Sequence, residues 1–195
     1  MSFADLDEDE LVELVESAEE SCDCSQLVSL LSFSLLAPRP KKYIGVVEPL
    51  CDALLRLSAE SGKALLSAGV LPLLASAIAT KPFSQEAAIL ESALGALRRL
   101  CSSSSEGGDD AAKDDLTQLL LPSLSSSGPF AALDDEPTVY EQLLLLLESL
   151  ALGSLSRGAL LIDAGALKLV DRAEGVIVNE RNKAYVANAR AALGC

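Results

Sequence analysis

Gly62-Lys63-Ala64-Leu65-Leu66-Ser67-Ala68-Gly69-Val70-Leu71-Pro72-Leu73-Leu74 returns 96 residues later as Gly158-Ala159-Leu160-Leu161-Ile162-Asp163-Ala164-Gly165-Ala166-Leu167-Lys168-Leu169-Val170. Six of the thirteen positions are identical, and the apolar ones match in kind. Internal echoes of this spacing mark arrays in which each unit buries its apolar face only by stacking on neighbours. The segment has a coherent local reading. Ser61 is placed to cap a short helix running to Ala68. Gly69 allows a sharp break because glycine tolerates positive φ. Pro72 suits the first turn of the following helix, where a missing N–H is no loss. Leu71, Leu74, Ala75 and Ile78 then share one face of that helix. The copy at Asp163–Val170 keeps Gly165, Leu167 and Val170 but lacks the proline.

Working outward, a second element recurs. Glu91–Cys101 is an amphipathic helix, and Glu141–Ala151 repeats its phase 50 residues on. Glu48–Leu57 fits 43 residues before it. Thr138 and Glu141 have the spacing of a capping box after Pro137. Asn179 is positioned to cap a last helix through Leu193. Four helical units result, over 6–58, 59–101, 109–152 and 155–195. Composition agrees. Half the residues are apolar but only 4% are aromatic, with no Trp. The expected interior is therefore Leu, Ala, Val and Ile between stacked helices, with the Leu143–Leu147 run buried on both sides. No strand or hairpin signal competes.

The stretch Ala68-Gly69-Val70-Leu71-Pro72-Leu73-Leu74, followed by Glu91-Ser92-Ala93-Leu94-Gly95-Ala96-Leu97-Arg98-Arg99-Leu100, resembles the armadillo repeat. HEAT repeats read similarly. The resemblance covers most of residues 43–195. It implies an all-α, right-handed α-solenoid of about four armadillo-like repeats forming one domain over 1–195. An acidic helix at 6–20 then caps its exposed end. The third helices of such repeats line a concave groove. In relatives of the importin-alpha type, a Trp and Asn ladder there clamps a basic peptide. The corresponding Trp positions here hold Asp52, Gly95, Leu145 and Ala191, and the Asn positions hold Arg56, Arg99, Ser149 and Cys195. The ladder is absent. Asp52, Arg56, Gly95, Arg98, Arg99 and Ser149 become the candidate partner-binding residues. Arg56 and Arg99 take equivalent places on successive units. Two forked guanidiniums about 8–10 Å apart suit an acidic or phosphorylated partner segment. The competing reading has each arginine paired with a carboxylate of this same chain.

Two inserts interrupt the period. Ser102–Asp115, with four consecutive serines, and Pro122–Pro137, with Ser125-Ser126-Ser127-Gly128-Pro129, are expected to be mobile loops. Ser103 and Glu106 have the spacing of an acidic-kinase site. The only dense basic island, Pro38-Arg39-Pro40-Lys41-Lys42-Tyr43, reads as an extended solvated linker or a docking segment.

Charge and residue types limit function. The net charge is −14, and ten acids lie between Asp5 and Asp23 without a single Lys or Arg. Such a field repels nucleic acid and anionic membrane surfaces. The five cysteines form no framework, which implies reduced thiols and a cytoplasmic setting. The acidic start lacks the features of a signal peptide, and no apolar run is long enough to insert in a bilayer. The chain has no His, which removes the usual Ser-His and Cys-His pairs and the zinc-hydrolase ligand sets. No phosphate-binding glycine loop is present, and Cys22-x-Cys24 lacks two further metal ligands. No enzyme activity and no cofactor are expected. The sequence reads as a protein–protein interaction scaffold or adaptor in a larger intracellular complex. The alternative is a regulatory cofactor of a chaperone or enzyme, similar to the armadillo-like nucleotide-exchange factors of Hsp70.

Overall fold

A computed structural model describes residues 3–103, 110–125, 128–132 and 136–194. Among these residues the regular elements are all helices and there is no strand, so the chain is all-α. Contacts cluster into two compact units, Met1–Ser103 and Ser104–Cys195. The first holds α1 (Glu8–Glu20), α2 (Cys24–Leu36), α3 (Ile44–Leu57), α4 (Gly62–Ser67), α5 (Val70–Ala79) and α6 (Ala87–Ser103). The second holds α7 (Asp110–Leu124), α8 (Pro137–Ala151), α9 (Leu155–Ala164), α10 (Ala166–Val176) and α11 (Glu180–Leu193).

Local chemistry explains where the helices start and stop. Asp7 caps α1 through a reciprocal box: its carboxylate accepts from the Glu10 amide and its amide donates to Glu10, both at 2.9 Å. Glu8, Asp9 and Glu10 then sit in the first turn, where the helix dipole favours negative charge. Asp23 caps α2 by accepting from the Gln26 amide at 2.9 Å. Gly69 separates α4 from α5 at φ +81°, and Gly165 separates α9 from α10 at φ +112°. Both halves of the echoed segment therefore break at the same left-handed residue. At Gly165 a side chain is doubly excluded, because a Cβ would lie 2.9 Å from the Leu124 carbonyl oxygen.

Four expected caps and loops need correction. Ser61 stands at the start of α4 but makes no capping bond; its hydroxyl is hydrogen-bonded with the Cys24 thiol. Thr138 is not a cap, because α8 already begins at Pro137 and Glu136 takes the flanking position. Proline at the first helical position has φ preset and no N–H to leave unpaired. The loop expected at 102–115 does not span that range: Ser102 and Ser103 end α6, and Asp110–Asp115 open α7. Of that stretch, 104–109, with Glu106, lies outside the described residues. The expected 122–137 loop likewise loses Pro122–Leu124 to α7 and Pro129–Ala132 to a 3-10 turn. Residues 126, 127 and 133–135 of it lie outside the described residues.

In the N-terminal unit the most extensive packing is α3 on α6. Val46, Leu50, Ala53 and Leu54 of α3 and Ile89, Ala93, Leu94, Ala96 and Leu97 of α6 are fully buried. The helices α1 and α2 pack beside α3, and α4 and α5 pack against α6. In the C-terminal unit α8 packs chiefly on α11 and also against α9 and α10, while α7 lies along α9. Leu143, Leu144, Leu146 and Leu147 are buried and Leu145 is half-buried. The interior is less purely aliphatic than composition implies, since Phe83, Phe130 and Tyr140 are its largest fully buried side chains. No helix among the described residues is long and apolar enough to cross a membrane.

One polar side chain is built into the C-terminal core. Arg157 of α9 is buried and donates through Nε to the Leu150 carbonyl at 2.8 Å. Its Nη1 meets Asp114 of α7 at 2.9 Å, a carboxylate that remains 61% exposed. The residue thus ties α7, α8 and α9. Removing a buried hydrogen-bonding partner leaves its acceptor unsatisfied and opens a cavity, so Arg157→Ala should destabilise the protein by about 2–4 kcal/mol. Asp114→Ala, at the wet end of the pair, should cost only about 1 kcal/mol. Thermal melts of both variants check the order. Replacing all of 102–115 with a Gly-Ser linker should lower the melting temperature, because it also deletes Asp114.

Candidate functional site

The candidate residues of the N-terminal unit meet where α1, α3 and α6 come together. Asp52 and Arg56 lie one turn apart on α3, and their side chains pair at 2.5 Å. Sequence spacing alone foretells that contact. What it does not foretell is Glu19, 37 residues upstream on α1. Glu19 grips the same guanidinium from two sides: Oε2 accepts from Nη2 at 2.6 Å, and Oε1 accepts from Nε. Ser92 of α6 adds a 3.3 Å hydrogen bond to the other oxygen of Asp52. Arg99 of α6 reaches back to α3 and donates from Nη1 to the Leu55 carbonyl at 2.9 Å. The structure thus pairs Asp52 with Arg56 and ties Arg99 to the α3 backbone.

The other candidates differ. Gly95 is buried in α6 and is not open to surface contact. Arg98 is half-buried, with an Nε that has no hydrogen-bond partner. Ser149 belongs to the C-terminal unit, and its hydroxyl donates to the Leu145 carbonyl at 2.8 Å. Cys195 lies outside the described residues.

The arginines carry an electrostatic consequence. A fork that binds a partner's carboxylate or phosphate needs its donors free. The Arg56 fork is already occupied by two carboxylates of its own chain, Glu19 first and Asp52 second, which hold it charged well above the ordinary arginine range. Arg99 is engaged by a backbone carbonyl. Both side chains work as ties between helices.

Beside this network lies an open recess of about 390 Å³ between α3 and α6, lined by Glu48, Pro49, Asp52, Ala88, Glu91 and Ser92. Its charged lining residues are three carboxylates and no cation. Glu48, Glu91 and Ser92 were not singled out by the sequence reading, although all three fall in the helices it quoted.

Metal and thiol chemistry are sparse. Among the described residues no group of three or more Cys, Asp or Glu side chains is arranged to hold a metal ion. Cys22, Cys24, Cys51 and Cys101 are in no disulfide, and of these four only Cys22 is exposed. Burial, with a smaller push from Asp52, raises the Cys51 thiol to about 12. Burial also raises the Cys24 thiol.

With this geometry in view, comparison with known proteins bears on the fold alone. No protein-family model matches the chain, and no curated protein matches it. A crystal structure of an engineered protein is similar over 96% of this chain and 81% of its own, with a TM-score of 0.63 and 19% sequence identity.

Two outcomes follow from the site. Arg56 is 54% exposed, so Arg56→Ala or Glu19→Ala should cost only about 1 kcal/mol or less in a denaturant titration. Because the thiolate is the nucleophile, a thiol reagent at mildly alkaline pH should modify Cys22 quickly. Cys51 should react only after denaturant is added, which peptide mapping by mass spectrometry will show.

Proposed function

We propose that this chain is a protein-interaction scaffold or adaptor, built as a right-handed α-solenoid of about four armadillo-like repeats. On this reading residues 1–195 form one repeat domain, with α1 as its acidic cap. Helices α3, α6, α8 and α11 are then the third helices of successive repeats. Three features support it: the shared left-handed break at Gly69 and Gly165, the α3–α6 packing, and its counterpart between α8 and α11.

The partner chemistry favoured here differs from the acidic or phosphorylated segment expected from Arg56 and Arg99. Those guanidiniums are engaged within the chain, and the open recess beside them is lined by Glu48, Asp52 and Glu91. A partner segment bearing Lys or Arg fits that lining. The observation that carries this reading is that Glu48 and Glu91 line the recess beside the already paired Asp52, with no cation among the lining residues. Electrostatic complementarity of this kind sets which partners approach and in what register. Without the Trp and Asn ladder, the backbone clamp of importin-like relatives is missing, and the carboxylates take over recognition.

A fluorescent Lys- and Arg-rich peptide tests this by anisotropy. Wild-type protein should bind it at low ionic strength and release it as salt is added, since exposed charges are screened within about 10 Å at 0.1 M. The Glu48→Lys, Glu91→Lys double variant should lose about tenfold or more in affinity, as expected when close charge pairs are reversed. It should melt like the wild type. Equal affinity of the double variant and the wild type rejects the recess as the binding site.

A further inference from the structure

Seven residues after the exposed end of α2, the chain has turned a corner that carries the largest local concentration of positive charge in the protein. Leu36-Ala37-Pro38-Arg39-Pro40-Lys41-Lys42-Tyr43 joins α2 to α3. The segment is not the extended solvated linker that its composition allows. Pro40–Tyr43 forms a 3-10 turn. Tyr43 packs edge-on against Phe33 of α2 at 5.4 Å between ring centroids, and Phe33 in turn contacts Phe3 at 5.6 Å. Lys42 places its ammonium 5.7 Å from the Tyr43 ring centre, within cation–π range. Pro38 and Pro40 fix two φ angles and remove two backbone donors. The corner is thus held in one shape by rings and prolines.

Among the described residues its cations meet no carboxylate, and Lys42 has only the Tyr43 ring. Arg39, Lys41 and Lys42 are exposed, and none makes an ion pair or a side-chain hydrogen bond among the described residues. That contrasts with Arg56, Arg157 and Arg190, each of which is paired with a carboxylate. In a chain with 29 acids and 15 bases, three cations within four residues stand out. Glu8 lies close by, against Gly45 at the start of α3, yet it does not reach them. Leu36, on the last turn of α2, is 80% exposed.

We propose that this corner is a docking surface for an acidic segment of a partner protein that also carries an apolar side chain. The three cations receive the carboxylates, and Leu36 receives the apolar residue. A preformed, proline-stiffened surface loses little conformational freedom on binding, which favours affinity from a small contact. Charge complementarity selects the occupant. An anionic membrane needs a larger basic cluster than three side chains. The proposal does not depend on the recess between α3 and α6, whose charge is opposite.

The test uses the whole chain and a fluorescein-labelled Glu-rich peptide bearing Leu, read by anisotropy. A peptide with Leu replaced by Ser serves as control. Wild-type protein should bind the Leu-bearing peptide more tightly, with affinity falling as salt is added. Arg39→Glu, Lys41→Glu and Lys42→Glu together should weaken it by about tenfold or more. Leu36→Ser should remove the preference for the Leu-bearing peptide. Both variants should melt like the wild type, because the altered side chains are exposed. If the triple variant melts early, Lys41→Glu alone makes the same comparison and should weaken binding measurably. Unchanged affinity in the charge variants overturns the proposal. So does preferential binding to phosphatidylcholine vesicles containing phosphatidylserine, or wild-type self-association in sedimentation that the triple variant abolishes. The Glu48→Lys, Glu91→Lys variant should keep its affinity for the acidic peptide, which separates this outcome from the fate of the recess.

Discussion

Close approach of α3 and α6 is the constraint on which the N-terminal unit depends. The seam is made of small and aliphatic side chains, with Ala53 on one helix and Ala93, Gly95 and Ala96 on the other all buried. Small residues let the backbones come near enough for Arg99 to reach the Leu55 carbonyl and for Ser92 to reach Asp52. The same closeness shapes the recess above the seam. Core and candidate site are therefore one design problem here: substitutions in the packing alter the spacing of Glu48, Asp52 and Glu91.

Much of the fold was legible because its cues are local. A glycine that must adopt positive φ announces a helix break, and Gly69 and Gly165 do so at matched places in the echoed segment. Apolar spacing at the helical period marked Glu48–Leu57, Glu91–Cys101 and Glu141–Ala151, and each lies within a single helix. Caps were less secure. Hydroxyls near a helix start have several available partners, so Ser61 went to a thiol, and Thr138 was pre-empted by a proline one residue earlier. Polarity also misled at 110–115, where acids and a lysine open α7 instead of extending a loop.

The site was legible only in part, for a related reason. Asp52 and Arg56 are one helical turn apart, so their pairing follows from geometry within α3. Glu19 reaches Arg56 from another helix, and no spacing rule foretells it. That single carboxylate decides whether Arg56 faces outward as a ligand group or inward as a tie. In so acidic a chain, an arginine identified from repeat phase alone meets local competition from many carboxylates. Arg157 makes the converse point: its position in the sequence gives no hint of burial, yet Asp114 and the Leu150 carbonyl accommodate it.

The separations of these side-chain ties carry a kinetic meaning. Glu19 and Arg56 are 37 residues apart, Asp52 and Ser92 40, Leu55 and Arg99 44, Asp114 and Arg157 43, and Glu141 and Asn182 41. None of these ties joins one end of the chain to the other. Closing loops of such similar, modest length costs nearly the same entropy each time, because that cost grows only with the logarithm of loop length. Helical chains are also rich in contacts between near neighbours, which favours fast folding. During synthesis, α1 through α3 can close the Glu19–Arg56 tie before α6 has been made, and each later tie waits on only some forty further residues. Order of emergence from the ribosome and order of assembly thus coincide, which shortens the time during which the apolar face of any helix stands open to aggregation.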